Sequence, residues 1–527
     1  MKIFIPVIVI LFAESLQAQW STDPNNNLIV GYGLNPDICS DSTGGCFITY
    51  EFGTTGYPRQ LCVERLDKYG YKPWGDKKQI FGELPEQWYA EIIEDGEGGV
   101  IISYLDDLIS GSDFIYRVRV QRVDSAGNLL WGQTGVRVTT TEINHGDQSI
   151  VSDGNGGCVV VWPNQLQNYT FDYRANRINN LGERAWSDTG IFLENSIYND
   201  AASVVRASDG NYYIQTSTIY RINQNGQIIN QYYANMMGQP LPDPEGGIVL
   251  TGIIGSIYNR RLVAQRKDSL GNNLWQEPYV EIADSIASGS FRIGENNRII
   301  NYAWLGRYDS KPYFQAINLE GNLIYQNKIL LSDNTSSTTL IGIVSSYYNN
   351  TIFSWSVSGE INSIFAQMYD TLGNKLWNEN GVIVSHPRIT YQQYTTDGNG
   401  GFIIGGVTNN FTVVAQQVSK DGNLGQIVTD LDISKDESLP TEILLYQNYP
   451  NPFNPSTTIN FSLPEAVNVK LTIYNTLGQT VAELVNSKLE AGQHSNQWDA
   501  KNYSSGIYFY ELKTDKLISI KKMILIK

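Results

Sequence analysis

Apolar and polar positions alternate along this chain in short runs rich in Val, Ile, Tyr, Phe and Trp, and Gly, Asn and Asp stand at the ends of the runs. A period of two bounded by turn residues predicts β-strands joined by tight hairpins, and hence an all-β chain. The clearest copy opens with Asp153-Gly154-Asn155-Gly156-Gly157, enters Cys158-Val159-Val160-Val161-Trp162, and continues at Asn176 with a polar strand, a turn at Gly182 and a strand anchored by Trp186. One such unit is a small meander.

The unit repeats. Its second turn recurs at Gly70, Gly127, Gly182, Gly226, Gly271, Gly321, Gly373 and Gly422, spaced by 44 to 57 residues, and an aromatic follows four residues later at Trp74, Trp131, Trp186, Trp275, Tyr325 and Trp377. Asn230 and Gln426 break the pattern. Its first turn recurs at residues 41–45, 95–99, 153–157, 209–211, 243–247, 295–297, 349–350 and 397–401, where Gly, Asn and Asp reach positive φ at low cost. Four short strands in about fifty residues is the size of one propeller blade, a sheet too small to bury its own faces. In the second repeat the strands fall near 90–94, 100–104, 116–123 and 128–138. The last repeat lacks its Trp strand, whereas Trp20 followed by Leu28-Ile29-Val30 resembles Trp131 followed by Val136-Arg137-Val138. The N-terminal strand is therefore expected to complete the last blade and to close a β-propeller of about eight four-stranded blades.

The ends of the chain differ from the repeats. Lys2 followed by ten residues from Ile3 to Phe12 and the exit Leu16-Gln17-Ala18 reads as a signal peptide over 1–18. That run is too short to span a bilayer, which takes about twenty residues, so no transmembrane segment is expected in the mature protein. The propeller is expected over 19–429 and an acidic linker over 430–443, from Asp430-Leu431-Asp432 to Leu439-Pro440.

Composition narrows the partners. A formal charge of -16, with 53 acidic against 37 basic residues, disfavours nucleic acid. Export permits disulfides among Cys39, Cys46, Cys62 and Cys158 in three connectivities, and Cys39 and Cys46 flank a turn across which they could face each other. Cys158 occupies a place taken elsewhere by Val100, Ile248 and Phe402, which marks a core position. Three scattered histidines and no Cys-x-x-Cys leave no metal site to build, and no cofactor is expected. The Asp-Gly-Asn-Gly-Gly turns lack the alternating carboxylates of a calcium loop, and the repeat Trp residues fit packing between blades better than a sugar platform.

Recognition is expected on the loops between second and third strands, 105–114, 163–172, 254–261, 305–311 and 356–362, which vary most between repeats. They carry Asp106, Asp107, Tyr169, Tyr258, Arg260, Arg307 and Tyr308, together with Asp113, Asn164, Asn168, Arg261 and Asp309, a set suited to a glycan or protein ligand. No Gly-x-Ser-x-Gly, His-Glu-x-x-His or phosphate-binding loop is present. A binding protein leads, ahead of a carbohydrate-active enzyme on the same scaffold and a structural surface-layer or adhesin component. Clustered carboxylates in a deep funnel favour the enzyme, and a shallow Tyr/Asn/Arg surface favours binding.

The C-terminal part opens with Tyr449-Pro450-Asn451-Pro452-Phe453-Asn454-Pro455, whose prolines enforce an extended lead-in. Alternating strands follow at 458–463, 467–474, 479–485, 506–512 and 517–526, with turns at 475–478 and 490–492, and predict a small immunoglobulin-like β-sandwich. That lead-in, the stretch from Val469 through Gly478 to Val481, Ala491-Gly492-Gln493-His494, Gly506-Ile507-Tyr508 and the terminal Lys521-Lys522-Met523 resemble the type A sorting domain of the type IX (Por) secretion system over 444–527. The resemblance implies the type IX machinery as partner, passage across the outer membrane, and a final place in the medium or on the outer cell surface.

Overall fold

The computed structural model describes residues 20–52, 59–75, 78–79, 86–110, 113–166, 170–197, 202–233, 236, 238, 240–256, 258–275, 279–296, 299–333, 338–346, 349–359, 361–425, 443–445, 448, 455–515 and 517–525. The expected leader and nearly all of the linker lie outside them. The chain forms two compact units, one within 17–426 and one within 427–527.

In the first unit the alternating runs become eight four-stranded antiparallel sheets. Blade 1 pairs Leu34–Ser40, Cys46–Phe52, Gln60–Leu66 and Lys78–Gln79 in chain order, and its first strand neighbours the first strands of blades 2 and 8 about a common axis. Blade 8 draws on both ends of the unit: Thr390–Thr396, Phe402–Val407 and Thr412–Val418 are completed by Leu28–Tyr32, with Leu28 opposite Ala415 and Tyr32 opposite Thr412. Eight apolar cores lie between successive sheets, and one of them joins blade 8 to blade 1 through Trp20, Val30, Ile38, Tyr50, Ile403 and Val413. The unit is a closed propeller.

The repeat residues explain how the blades lock. Each anchor aromatic lies on the second-turn glycine of the next blade: Trp20 on Gly70, Trp74 on Gly127, Trp131 on Gly182, Trp186 on Gly226, Tyr232 on Gly271, Trp275 on Gly321, Tyr325 on Gly373 and Trp377 on Gly422. A methyl group on Gly127 would stand 3.0 Å from the Trp74 ring, and the residue sits at φ +83°, so glycine is required there twice over. The six indole N–H groups donate to the carbonyl two residues before that glycine, as in Trp20 Nε1 to Lys68 O (3.1 Å), Trp131 Nε1 to Asn180 O (3.1 Å) and Trp377 Nε1 to Lys420 O (2.8 Å).

The first turns are held by their own aspartates. Asp153 Oδ1 accepts the amides of Asn155 (2.8 Å) and Gly157 (2.9 Å), and Oδ2 pairs with Arg177. Asp41 with Arg65 and Asp95 with Arg122 repeat the arrangement, and Asp397 does so with Gln417. The carboxylates thus complete the turn and clamp it to the third strand.

Three sequence expectations are corrected. The break expected at Asn230 is filled by Tyr232, two residues later, because Ile228–Tyr233 runs on as a full outer strand. Residues 128–138 are not one strand: the outer strand of blade 2 is Val136–Arg137, and Leu129 makes an isolated bridge to Val123. Cys39 and Cys46 do not face each other, since Cys39 stands opposite Phe47 and Cys46 opposite Ser40. The side-chain period of two puts the first in the core between blades 1 and 2 and the second, with Cys62, between blades 8 and 1. All four cysteines are buried and none is in a disulfide.

The second unit is a β-sandwich of a three-stranded sheet, Leu444–Leu445, Ser456–Leu463 and Gly492–Asp499, and a four-stranded one, Val467–Asn475, Thr480–Leu489, Gly506–Thr514 and Ile518–Leu525. Residues 492–499, expected only to follow a turn, form a strand paired along the whole of Ser456–Leu463. Ile459, Phe461, Leu471, Ile473, Trp498, Tyr510, Leu512 and Met523 fill the space between the sheets.

Candidate functional site

Propeller topology puts the loops between second and third strands on the same face as the starts of the first strands, opposite the glycine turns. Two places on that face gather functional groups.

The first lies in blade 5, whose strands run from Leu241–Pro242 to Val280–Ala283, and blade 6, whose strands run from Ile286–Asn296 to Ile329–Leu330. The amide of Ile286 donates to Arg260 O (3.2 Å) and that of Arg307 to Ser285 O (2.8 Å), so the loop of each blade is tied to the start of blade 6. The Arg307 guanidinium carbon then stands 5.9 Å from the ring centres of both Tyr258 and Tyr308. Both rings are open to solvent, 74% and 79% exposed, and no carboxylate among the described residues pairs with Arg307. Four of the seven residues expected to bind ligand are therefore brought together. Asp106 and Asp107 lie elsewhere, in blade 2, and both are buried. Asp106 accepts a two-pronged pair from Arg117 (3.0 and 2.8 Å) and a further bond from Arg119 (2.7 Å), while Asp107 accepts the Glu86 amide (3.1 Å). Burial raises the Asp107 carboxyl above its ordinary range. Tyr169 lies outside the described residues.

The second place is on the axis. The first strands of blades 8, 1 and 2 each carry a bulge, at residues 391–392, 35–36 and 89–90, with Tyr391 (φ +51°), Asn35 (φ +47°) and Tyr89 (φ +51°) in the left-handed region. A tyrosine is uncommon there, and a bulge re-aims the side chain it carries. Both rings stand open, 59% and 56% exposed, at a cavity of about 470 Å³ that is also lined by Asp37, Glu91, Gln392 and Gln393. Asp37 accepts the amides of Ile38 and Ile92, both at 3.0 Å, and Glu91 Oε2 accepts that of Ile150 (3.1 Å), so each carboxyl holds the first strand of the next blade. Desolvation raises Asp37 to about 6. Desolvation and then the charge of Asp37 raise Glu91 to about 8.

The sequence reading missed this second place. A signal was present: counting back from the turn aspartate of the repeat, Asp37, Glu91 and Gln393 stand four residues before Asp41, Asp95 and Asp397, and Asn35, Tyr89 and Tyr391 stand six before. Polar residues at the same position of successive first strands mark the axis, since those strands line it.

In the sandwich, Tyr449, Pro450, Asn451, Pro452, Phe453 and Asn454 lie outside the described residues. Asn448 just before them is buried, with its amide donating to Tyr510 Oη (2.8 Å) and its Nδ2 to Thr457 Oγ1 (2.9 Å). Pro455 O accepts the Ala500 amide (2.8 Å), Gly478 closes the turn begun by Asn475, Gly506 opens a strand, and Lys521 and Lys522 stand opposite Tyr510 and Phe509 on the last one.

Comparison with known proteins separates the units. Residues 447–527 match the family described as a secretion system C-terminal sorting domain. No curated protein matches the chain. Solved structures similar to it include an acylaminoacyl peptidase of Pyrococcus horikoshii (10% identity, TM-score 0.37, covering 82% of this chain and 57% of that one) and the BP39L lectin of Burkholderia pseudomallei (8%, 0.39, 76% and 99%). PorZ, a surface component of the type IX secretion system of Porphyromonas gingivalis, is a third (10%, 0.15, 95% and 100%). The chain spans little more than half the length of the peptidase. The sorting domain assigns the chain to type IX export, and its destination is the medium or the outer cell surface.

Proposed function

We propose that the propeller is a binding module carried outside the cell by its sorting domain, and that it takes a hydroxyl-rich ligand, a glycan chain, on the face formed by the variable loops. The observation that supports this is the Arg307 guanidinium between the open rings of Tyr258 and Tyr308. Aromatic rings offer stacking faces to the C–H side of a sugar ring, while the guanidinium and Arg260 offer donors to its hydroxyls. The leader at 1–18, the propeller to 429 and the sorting domain from 444 belong to the same proposal.

The test is a glycan and polysaccharide array probed with the full mature chain and with Tyr258→Ala, Arg307→Ala and Tyr308→Ala. Loss of a glycan signal in these variants with an unchanged melting temperature supports the reading. An array with no signal, or a signal indifferent to all three, refutes it.

Glycoside cleavage is a second reading with one observation in its favour, two carboxyls with raised pKa at the axial cavity. Such a pair can divide acid and base roles. The amide bonds that tie both carboxyls to neighbouring blades weigh against it, and hydrolysis of any array glycan by the wild-type chain but not by Glu91→Gln would favour it.

A further inference from the structure

We propose that the axial cavity is a binding site for an organic cation, an ammonium or guanidinium group presented along the propeller axis. The cavity wall contains Asp37 and Glu91 and no Lys, Arg or His. Glu91 Oε2 is taken by the Ile150 amide, and Oε1 accepts from no donor among the described residues. Asp147 adds to the negative potential felt by Glu91. Glu51, which accepts the Tyr89 amide, is itself paired with Arg59. The site thus holds two partly buried carboxyls with no basic side chain in the cavity wall; Glu91 avoids an uncompensated charge by keeping its proton, and a cation would take that proton's place.

The rim fits the same ligand. Tyr89 and Tyr391 are turned toward the axis by left-handed bulges in blades 2 and 8, on either side of blade 1. The Gln148 Nε2 bond to Tyr89 O (2.6 Å) fixes one bulge against blade 3. Aromatic faces beside carboxylates are the recurring chemistry for ammonium and guanidinium groups. A volume of about 470 Å³ suits a small organic cation or the end of a cationic side chain. The open rings of Tyr89 and Tyr391 at the rim favour an organic cation over a bare metal ion. The proposal shares no residue with the loop-face site and does not depend on it.

The experiment is calorimetric titration of the full mature chain with agmatine, which carries both cationic groups on one four-carbon stem, against 1,4-butanediol as the neutral control. A cation beside Glu91 draws its carboxyl into the ionised form, and the proton passes to the buffer, so the heat at pH 7 differs between phosphate and Tris. Saturable binding with that buffer dependence is expected, weakened about tenfold or more by Glu91→Gln or Tyr89→Ala, the size of one lost charge-assisted contact. Arg307→Ala leaves it unchanged. No saturable heat at millimolar agmatine, equal binding of the diol, or equal binding by Glu91→Gln overturns the proposal. If Glu91→Gln does not fold, Tyr89→Ala, at an exposed rim position, carries the test alone.

Discussion

Replacing Trp20 by alanine tests ring closure at its narrowest point. Trp20 is 2% exposed, packs with Val30, Tyr50, Ile403 and Val413, lies on Gly70, and donates from Nε1 to Lys68 O at 3.1 Å. A Trp→Ala change in a packed core costs about 3–5 kcal/mol, of which the hydrogen bond accounts for roughly 1 kcal/mol. The control is Trp131→Ala, which has the same glycine, the same carbonyl bond and 6% exposure between blades 2 and 3. In a closed ring the two sites are equivalent, so the two costs should agree within about 1 kcal/mol despite one lying at the chain's N-terminal end. Deleting residues 20–32 should cost more than either, because it also strips the outer strand from blade 8 and bares the edge of Thr412–Val418. The assay is equilibrium unfolding of the full mature chain by denaturant, followed by tryptophan fluorescence. A Trp20→Ala cost below about 1 kcal/mol beside a Trp131→Ala cost of about 3 kcal/mol or more would refute the reasoning. The N-terminal strand would then be an appendage and the array open.

Three further predictions follow from the same structure. Arg266→Ala should destabilise by about 3–5 kcal/mol, since it leaves buried Asp243 without its pair and removes one of the two donors to Leu319 O, whereas Arg261→Ala, which loses an open pair with Glu281, should change stability by about 0–1 kcal/mol; denaturant unfolding reads both. Because Glu91 binds its proton to about pH 8 when folded and only to about 4.5 otherwise, it contributes stability that is lost as pH rises between those values; His145, which burial lowers to about 3, contributes stability that is lost as pH falls from about 6.5 toward 3, so the two oppose each other between about 4.5 and 6.5, and the melting temperature should fall from about pH 6.5 to 8, less steeply in Glu91→Gln. Truncation before Thr441, or removal of 521–527 with buried Met523 and Leu525, should leave the protein in the periplasm when cells with type IX machinery are fractionated, and surface or medium levels equal to full length would sink the export reading.

How far the sequence could be read depended on what each residue answers to. Gly127, Trp131 and Asp153 answer to their own turn and to one neighbouring blade, so they recur at fixed offsets and the blade could be drawn from them. The closing strand was legible for the same reason: Trp20 must satisfy Gly70 and Lys68 as Trp131 satisfies Gly182 and Asn180. Tyr232 was missed because an outer strand two residues longer reaches the same glycine from another offset, a freedom that tertiary packing allows and spacing does not reveal. Cys39 and Cys46 flank a turn in sequence, but the pairing register decides the face of each, and one position of difference sends them into different cores. The axial residues escaped notice because two bulge residues per strand shift them off the alternation by which buried positions are recognised.

That difference locates the chemistry. The face with the glycine turns is bound by blade-to-blade locking: every blade must present a glycine to one neighbour and an aromatic to the other, and a change there costs stability. The opposite face carries no such obligation, and the repeat is broken there unevenly. Left-handed tyrosines, and carboxyls with no basic partner among the described residues, occur at the axis of blades 8, 1 and 2, while a guanidinium with no carboxylate partner among the described residues stands between open rings on blades 5 and 6. Ring symmetry requires neither, although the Asp37 and Glu91 carboxyls also tie the first strands of neighbouring blades. Left-handed tyrosines store strain, and burial disfavours the ionised form of a carboxyl, so both features persist against folding stability. A surface that departs from its own repeat at such cost, on the face away from the locks, is the surface to which we assign the proposed ligands.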